Sequence, residues 1–176
     1  MTSEETAILE SLDQIVWSPA IQAILQPVVR RVSNQLAGRT EPVMAWEPIS
    51  TAKFGSALPR MIQSAWVFIL RAGVNTGAER HPNSHQRMMS FAGSGDMQTR
   101  EKEEASWKSN ILLSDRDLPL AQRWISIPQN VWHQPVVADN SDWVVVSFHT
   151  VPADELIEER PDPQHQAGTK QMRYLS

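Results

Sequence analysis

A chain of 176 residues, 41% apolar and 20% charged, is most simply one domain, long enough to bury a full core, with the profile of an ordinary globular protein. A net charge of −4, with Lys and Arg scattered and no helix-turn-helix signal, argues against a nucleic-acid surface. There is no cysteine, which excludes disulfides and thiolate ligands, so any metal must be held by nitrogen and oxygen.

The chain begins with helical signals. Thr2-x-x-Glu5 is a capping-box pattern, and Ile8, Leu9, Leu12, Ile15 and Val16 then recur at helical spacing. Glu4 and Glu5 stand where a signal peptide needs positive charge, and no apolar run approaches the ~20 residues that span a bilayer. The expected location is the cytoplasm. Ser18-Pro19 reads as an N-cap followed by proline at the first helical position. The stripe of this second helix is Ile21, Ile24, Leu25, Val28, Val29, Val32 and Leu36, ending near Gly38. Its polar face, Gln26, Arg30, Arg31 and Gln35, lacks the basic character of a membrane-surface helix. The pair is expected to pack on the following domain or across a dimer contact.

From Thr40 the periodicity changes to that of strands. Val43–Trp46 is short and stopped by Pro48, and Ser50–Arg60 reads as loop. Short runs follow at Gln63–Arg71, Gln86–Ala92, Asp96–Arg100, Trp107–Leu113, Arg123–Ile127, His133–Val137 and Trp143–His149. Gly93-Ser94-Gly95-Asp96 is a hairpin signal, and Lys102-Glu103-Glu104 a solvated turn. At least seven short strands with no long helix between them predict an all-β sandwich or barrel. Residues 153–159 look like one short helix, and the polar tail from Pro161 is expected on the surface or disordered. The organisation expected is a helical segment over 1–38, a β-barrel over 39–160 and a tail over 161–176.

Two stretches carry chemistry. The first, Gly77–Arg87, holds His81 and His85 four residues apart, with Glu79 two residues before the first. Read alone, it fits either a metal site or a polar loop between strands. The second is Trp124–Gln134, where a strand ends at Pro128, turns at Asn130 and restarts at His133. Together they resemble the paired motifs of the cupin family, Gly-x5-His-x-His-x3,4-Glu-x6-Gly and Gly-x5-Pro-x-Gly-x2-His-x3-Asn. Gly73 stands so that Glu79 takes the first histidine position and His81 the second, and the glutamate position falls on His85 or Gln86. Pro128-x-Asn130-x2-His133 matches the core of the second motif, with Asn130 in place of glycine, a mild exchange at positive φ. The closing asparagine of that motif is Val137.

The resemblance, from about Met44 to Leu156, implies a double-stranded β-helix, a jelly-roll barrel. It also implies one divalent metal ion per chain, held by Glu79, His81, His85 and His133, with Gln86 as the alternative to His85. Iron(II) is the first expectation, with zinc, nickel or manganese as alternatives. If His85 points inward, Arg87, Met89 and Phe91 share its face, and Arg87 would hold a substrate carboxylate. The other reading of Arg87 is an outward residue paired with a carboxylate. His149 is a candidate proton relay or an edge-of-strand histidine. Trp66, Trp124, Trp132 and Trp143 are expected in the core. The reading that follows is a metal-dependent enzyme, dioxygenase-like or isomerase/lyase, acting on a small polar molecule. A non-catalytic ligand-binding barrel and a storage barrel are the alternatives, and a homodimer is the expected assembly.

Overall fold

The computed structural model describes residues 2–101, 106–162 and 168–175; the turn expected at 102–104 lies outside them. The first helix, α1 (Ser3–Trp17), is capped by Thr2, whose hydroxyl accepts the Glu5 amide at 3.2 Å. The second, α2 (Pro19–Leu36), is capped by Ser18 through the Ile21 amide at 3.4 Å, with Pro19 at its first position. Leu9, Leu12 and Val16 of α1 are buried, as are Ile21, Leu25, Val28, Val32 and Leu36 of α2. None of the described helices is long and apolar enough to cross a membrane.

Ten strands follow: β1 (Met44–Ile49), β2 (Ser64–Leu70), β3 (Gln86–Ala92), β4 (Ser94–Arg100), β5 (Ile111–Leu113), β6 (Trp124–Ile127), β7 (Trp132–Val136), β8 (Trp143–His149), β9 (Ile157–Pro161) and β10 (Thr169–Arg173). A single helical turn, α3 (Leu120–Arg123), precedes β6. The larger sheet has the antiparallel order β1-β2-β8-β3-β6, and the smaller one β5-β4-β7. β9 and β10 form a ribbon. Isolated bridges, Glu79 to His133 and Arg80 to Glu159, lay an extended segment between β7 and β9.

Both faces of the larger sheet are covered, so β2 and β8 are buried at every position and read as continuous apolar runs. Alternate residues then choose between two cores. Ala65, Val67, Ile69, Met89, Phe91, Val144, Val146 and Phe148 pack on the helices. Trp66, Phe68, Leu70, Met88, Trp143 and Val145 fill the space toward the smaller sheet. The helix pair therefore covers the outside of the barrel. Trp66, Trp124, Trp132 and Trp143 are all buried.

Several sequence expectations change. β1 runs through Pro48 rather than stopping before it, because an edge strand tolerates a missing N–H. Gly93 does not close a hairpin: β3 and β4 belong to different sheets, and the chain turns the corner at φ 76°. A side chain at Gly95 would stand 2.2 Å from the Trp143 ring. No helix forms over 153–159; Ile157–Pro161 is a strand, in which the buried Glu158 and Glu159 find the half-buried Arg160 and Arg80 as partners. The described end of the tail lies on the surface, one of the two outcomes expected, and is ordered there as β10; the half-buried Tyr174 beyond it packs on the barrel core.

Arg87 decides how α1 is fastened. It has the parity of Met89 and Phe91, so it faces the helices and is bound at both ends of its fork by Glu5, at 2.6 and 2.8 Å. Ser126 donates to the same carboxylate at 2.6 Å. Burial works to raise the Glu5 carboxyl, but the bonds from Arg87 and Ser126 outweigh it and hold Glu5 below the usual carboxylate range. Further along α1, Asp13 accepts from Arg123 and from the Trp124 indole, the latter at 2.8 Å. Removing one partner strands the buried Arg87 charge, so Glu5→Gln is expected to lose roughly 2–3 kcal/mol in urea unfolding. The Glu5→Leu/Arg87→Met double variant is expected to recover at least half of that loss.

Candidate metal centre

Register brings the polar side chains together. The Glu79 and His133 backbones exchange two hydrogen bonds of 2.8 Å, and Arg80 and Glu159 exchange two of 3.0 and 2.9 Å. Residues directly opposite share a face, and so do residues two apart. Glu79, His81 and His133 therefore point to the same side, and the antiparallel count carries Glu158 and Arg160 there too. Arg80, Trp132 and Glu159 take the other side, where Arg80 pairs with Glu159 and lies over the Trp132 ring at 4.7 Å.

On the inner side, one ligand atom from each of Glu79, His81 and His133 lies within 4.8 Å of the others. The His81 ring donates its Nδ1–H to the Ile157 carbonyl at 2.9 Å, and His133 donates its own to Val131 at 3.1 Å. Both rings thus leave Nε2 for the centre, the arrangement that backbone carbonyls impose on metal-binding histidines. Nε2 of His133 is buried without a hydrogen-bond partner and faces Glu79 Oε1 at 3.4 Å. An electron pair opposed to a carboxylate calls for a cation between them, a proton or a metal. Two imidazoles and one carboxylate on one face are the donor set of a facial triad, so the residues present fit a divalent ion.

Charge around the centre is balanced from β9. Arg160 donates to Glu79 Oε2 at 2.8 Å and to the Thr76 carbonyl at 2.7 Å, and it also binds Glu158. Burial pushes the Glu79 carboxyl up, but His133, His81 and Arg160 hold it below its ordinary value. Burial, followed by the neighbouring His133, pushes His81 down to about 4, so its ring is neutral at neutral pH. Burial, then the nearby Glu79, raises Glu158.

The larger sheet faces this group across the barrel. Gln86 of β3 lies directly opposite His149 of β8, and both point inward. The His149 ring meets His81 edge to face at 5.0 Å and is hydrogen-bonded to Ser147 at 3.0 Å and Ser84 at 3.3 Å. Burial, and then the two neighbouring histidines, push His149 well down. Gln86 donates to Ser147 at 3.1 Å, while its carbonyl oxygen is buried without a partner. A cavity of about 30 Å³ lies between Glu79, His81, Gln86, Met88 and Tyr174, room for one or two waters or an ion.

Sequence reading and geometry diverge at two residues. His85 is not brought to the group: it shares Arg87's side of the chain and is hydrogen-bonded to Ser126 at 2.7 Å, 3.8 Å from Glu5. Gln86 takes the inward place. Arg87 is likewise turned away, bound by Glu5 as its outward reading had it. The sequence reading missed Glu158, assigned to a helix end, Arg160 just after it, and Tyr174, assigned to a surface tail. The available signal was the lone tyrosine of the chain standing in an otherwise polar tail.

Two of the solved structures with which the fold aligns reach a TM-score of 0.5 or above. CapF with the inhibitor 3-isopropenyl-tropolone gives 0.51, at 13% identity over 66% of this chain and 31% of that one. The 11S globulin of Wrightia tinctoria gives 0.50, at 14% identity over 67% and 27%. The fold is a cupin jelly roll. Oxalate oxidase in complex with the substrate analogue glycolate aligns at 0.49, with 13% identity over 66% and 56%. The chain thus spans less than two thirds of the length of each. No family model and no curated protein sequence matches it.

Folding strips the proton from His81 and His149, so stability is fully present above the unfolded-state histidine value and drains as pH falls. For His81, moving from 6.5 to about 4, the loss is roughly 3 kcal/mol at most. Urea unfolding of chelator-treated protein is expected to show a midpoint that falls between pH 6.5 and 4. His81→Gln and His149→Gln should each flatten that fall, and an unchanged slope would contradict the buried-neutral assignment.

Proposed function

We propose that this chain is a metal-dependent cupin enzyme in which Glu79, His81 and His133 hold one divalent ion, iron(II) first, and act on a small molecule inside the barrel. The observation that carries this reading is the unpartnered, buried Nε2 of His133 opposed to the Glu79 carboxylate. A divalent ion on two neutral imidazoles and a carboxylate keeps a charge near +1 and open positions, and so supplies Lewis-acid or redox chemistry to a small oxygen-bearing molecule.

The chain's own residues do the rest. Arg160 orients Glu79 and offsets its charge, and the Ile157 and Val131 carbonyls fix both imidazoles in the liganding tautomer. His149, neutral and hydrogen-bonded to two serines, borders the centre within reach of a proton transfer through Ser147 or Ser84. The Gln86 carbonyl, buried without a partner, is one further oxygen available on the barrel side.

Arg160 also supports a second reading. Its guanidinium already neutralises Glu79, so a barrel that binds its ligand without metal fits the same charges. Elemental analysis of protein purified without chelator separates the two. About one equivalent of metal is expected in the native chain and in His85→Ala, and at least tenfold less in His81→Ala and His133→Ala. No metal in the native chain, and none taken up on titration with iron(II), zinc or manganese, would leave the metal-free barrel.

A further inference from the structure

Tyr174 stands where a ligand would be expected. Its ring sits among Trp46 at 5.3 Å, Trp66 at 5.6 Å and Phe68 at 5.7 Å, meeting Trp46 and Phe68 edge to face. It walls the small cavity that Glu79 and His81 also line, and its hydroxyl is turned to the Glu158 carboxylate. Three aromatic side chains converging on one ring make a box shaped for a flat six-membered ring. Two of them come from β2, Trp66 and Phe68, and one from β1 beside it.

The element carrying Tyr174 is the least anchored in the fold. β10 is exposed at all five positions and pairs only with β9. An aromatic side chain inserted beside a polar centre by an exposed edge strand can be exchanged for a free molecule of the same shape. Such exchange costs the pairing of β10 with β9 and the contacts of Tyr174 with Trp46, Trp66 and Phe68.

We propose that the Trp46–Trp66–Phe68 box is the seat for the ring of the molecule on which the Glu79–His81–His133 centre acts, and that Tyr174 holds this seat when the ligand is absent. This rests on the reading of that group as the working centre. The ligand is a neutral, hydroxyl-bearing monocyclic aromatic. A hydroxyl would face Glu158 as the tyrosine's does, whereas an aromatic carboxylate would meet Glu79 and Glu158, with Arg160 already bound to both carboxylates and to the Thr76 carbonyl.

The probe is p-cresol, the tyrosine side chain as a free molecule, with benzoate as its charged counterpart. Trypsin release of the peptide after Lys170 is followed by mass spectrometry on the full native chain, as purified and after chelator treatment. Release is expected to accelerate several-fold and saturably with p-cresol and to be unmoved by benzoate. By tryptophan fluorescence, Tyr174→Ala is expected to bind p-cresol at least tenfold more tightly than the native chain, since its internal competitor is gone. A release rate in the native chain that does not change with p-cresol overturns the proposal, even if Tyr174→Ala binds the probe, because Tyr174 would then be a fixed part of the core. Release that responds to p-cresol in a chain that takes up no metal keeps the seat and removes the metal reading. Metal uptake without a p-cresol response does the reverse.

Discussion

The centre depends on one strip of backbone. Residues 79–81 lie between β7 and β9, held on one side by the paired hydrogen bonds of Glu79 and His133 and on the other by those of Arg80 and Glu159. That double pairing sets which side chains face the barrel. A slip of one residue on either side would send Glu79 and His81 outward and bring Arg80 in, because the side-chain period of extended chain is two. The contacts among Glu79, His81, His133, Glu158 and Arg160 all follow from this register. Asn130 helps to fix it, adopting φ 64° so that its amide reaches the His81 carbonyl at 3.1 Å.

Electrostatics follow from the same geometry. Five ionisable side chains share a largely buried face, and they are tolerated because each meets a complementary partner. Arg160 ties Glu79 and Glu158 together, and the two ring Nδ1–H groups are taken by backbone carbonyls. The buried atoms left without a hydrogen-bond partner here are His133 Nε2, the Gln86 carbonyl oxygen, Glu158 Oε2 and Thr76 Oγ1. Unpartnered buried polar atoms thus coincide with the only three-residue His/Glu group found among the described residues. The larger sheet contributes the opposite wall, where Ser147, His149 and Gln86 satisfy one another on a face otherwise filled by Trp, Phe, Met and Val.

The two faces of that sheet also separate the two roles of the 85–87 stretch. Arg87 and His85 belong to the seam with α1, through Glu5 and Ser126, while Gln86 belongs to the barrel. A charged residue between two buried layers is stable only where a partner is positioned for it, and α1 supplies that partner from the far end of the chain. The first helix is in this sense part of the scaffold of the barrel, and Arg87 is where its sequence and that of β3 meet.

Much was legible in the residues themselves. Caps at Thr2 and Ser18, the stripes of both helices, the run of short strands and the Pro128–Asn130–His133 turn are encoded by neighbours close in sequence, and local chemistry is enough to read them. The placing of Glu79 beside His81 follows from their spacing, and the resemblance to cupins added His133. Tertiary structure decided the rest. Whether His85 or Gln86 faces inward is a matter of parity on a strand buried on both faces, and apolar residues on both sides of β3 hide that parity from the sequence. The segment before the tail hides its strand for a related reason: Glu158 and Glu159 look like the end of a helix until Arg80 and Glu79, some eighty positions earlier, are seen to pair with Glu159 and Arg160. Pairings over that distance are set by the closure of the barrel, and no local pattern contains them.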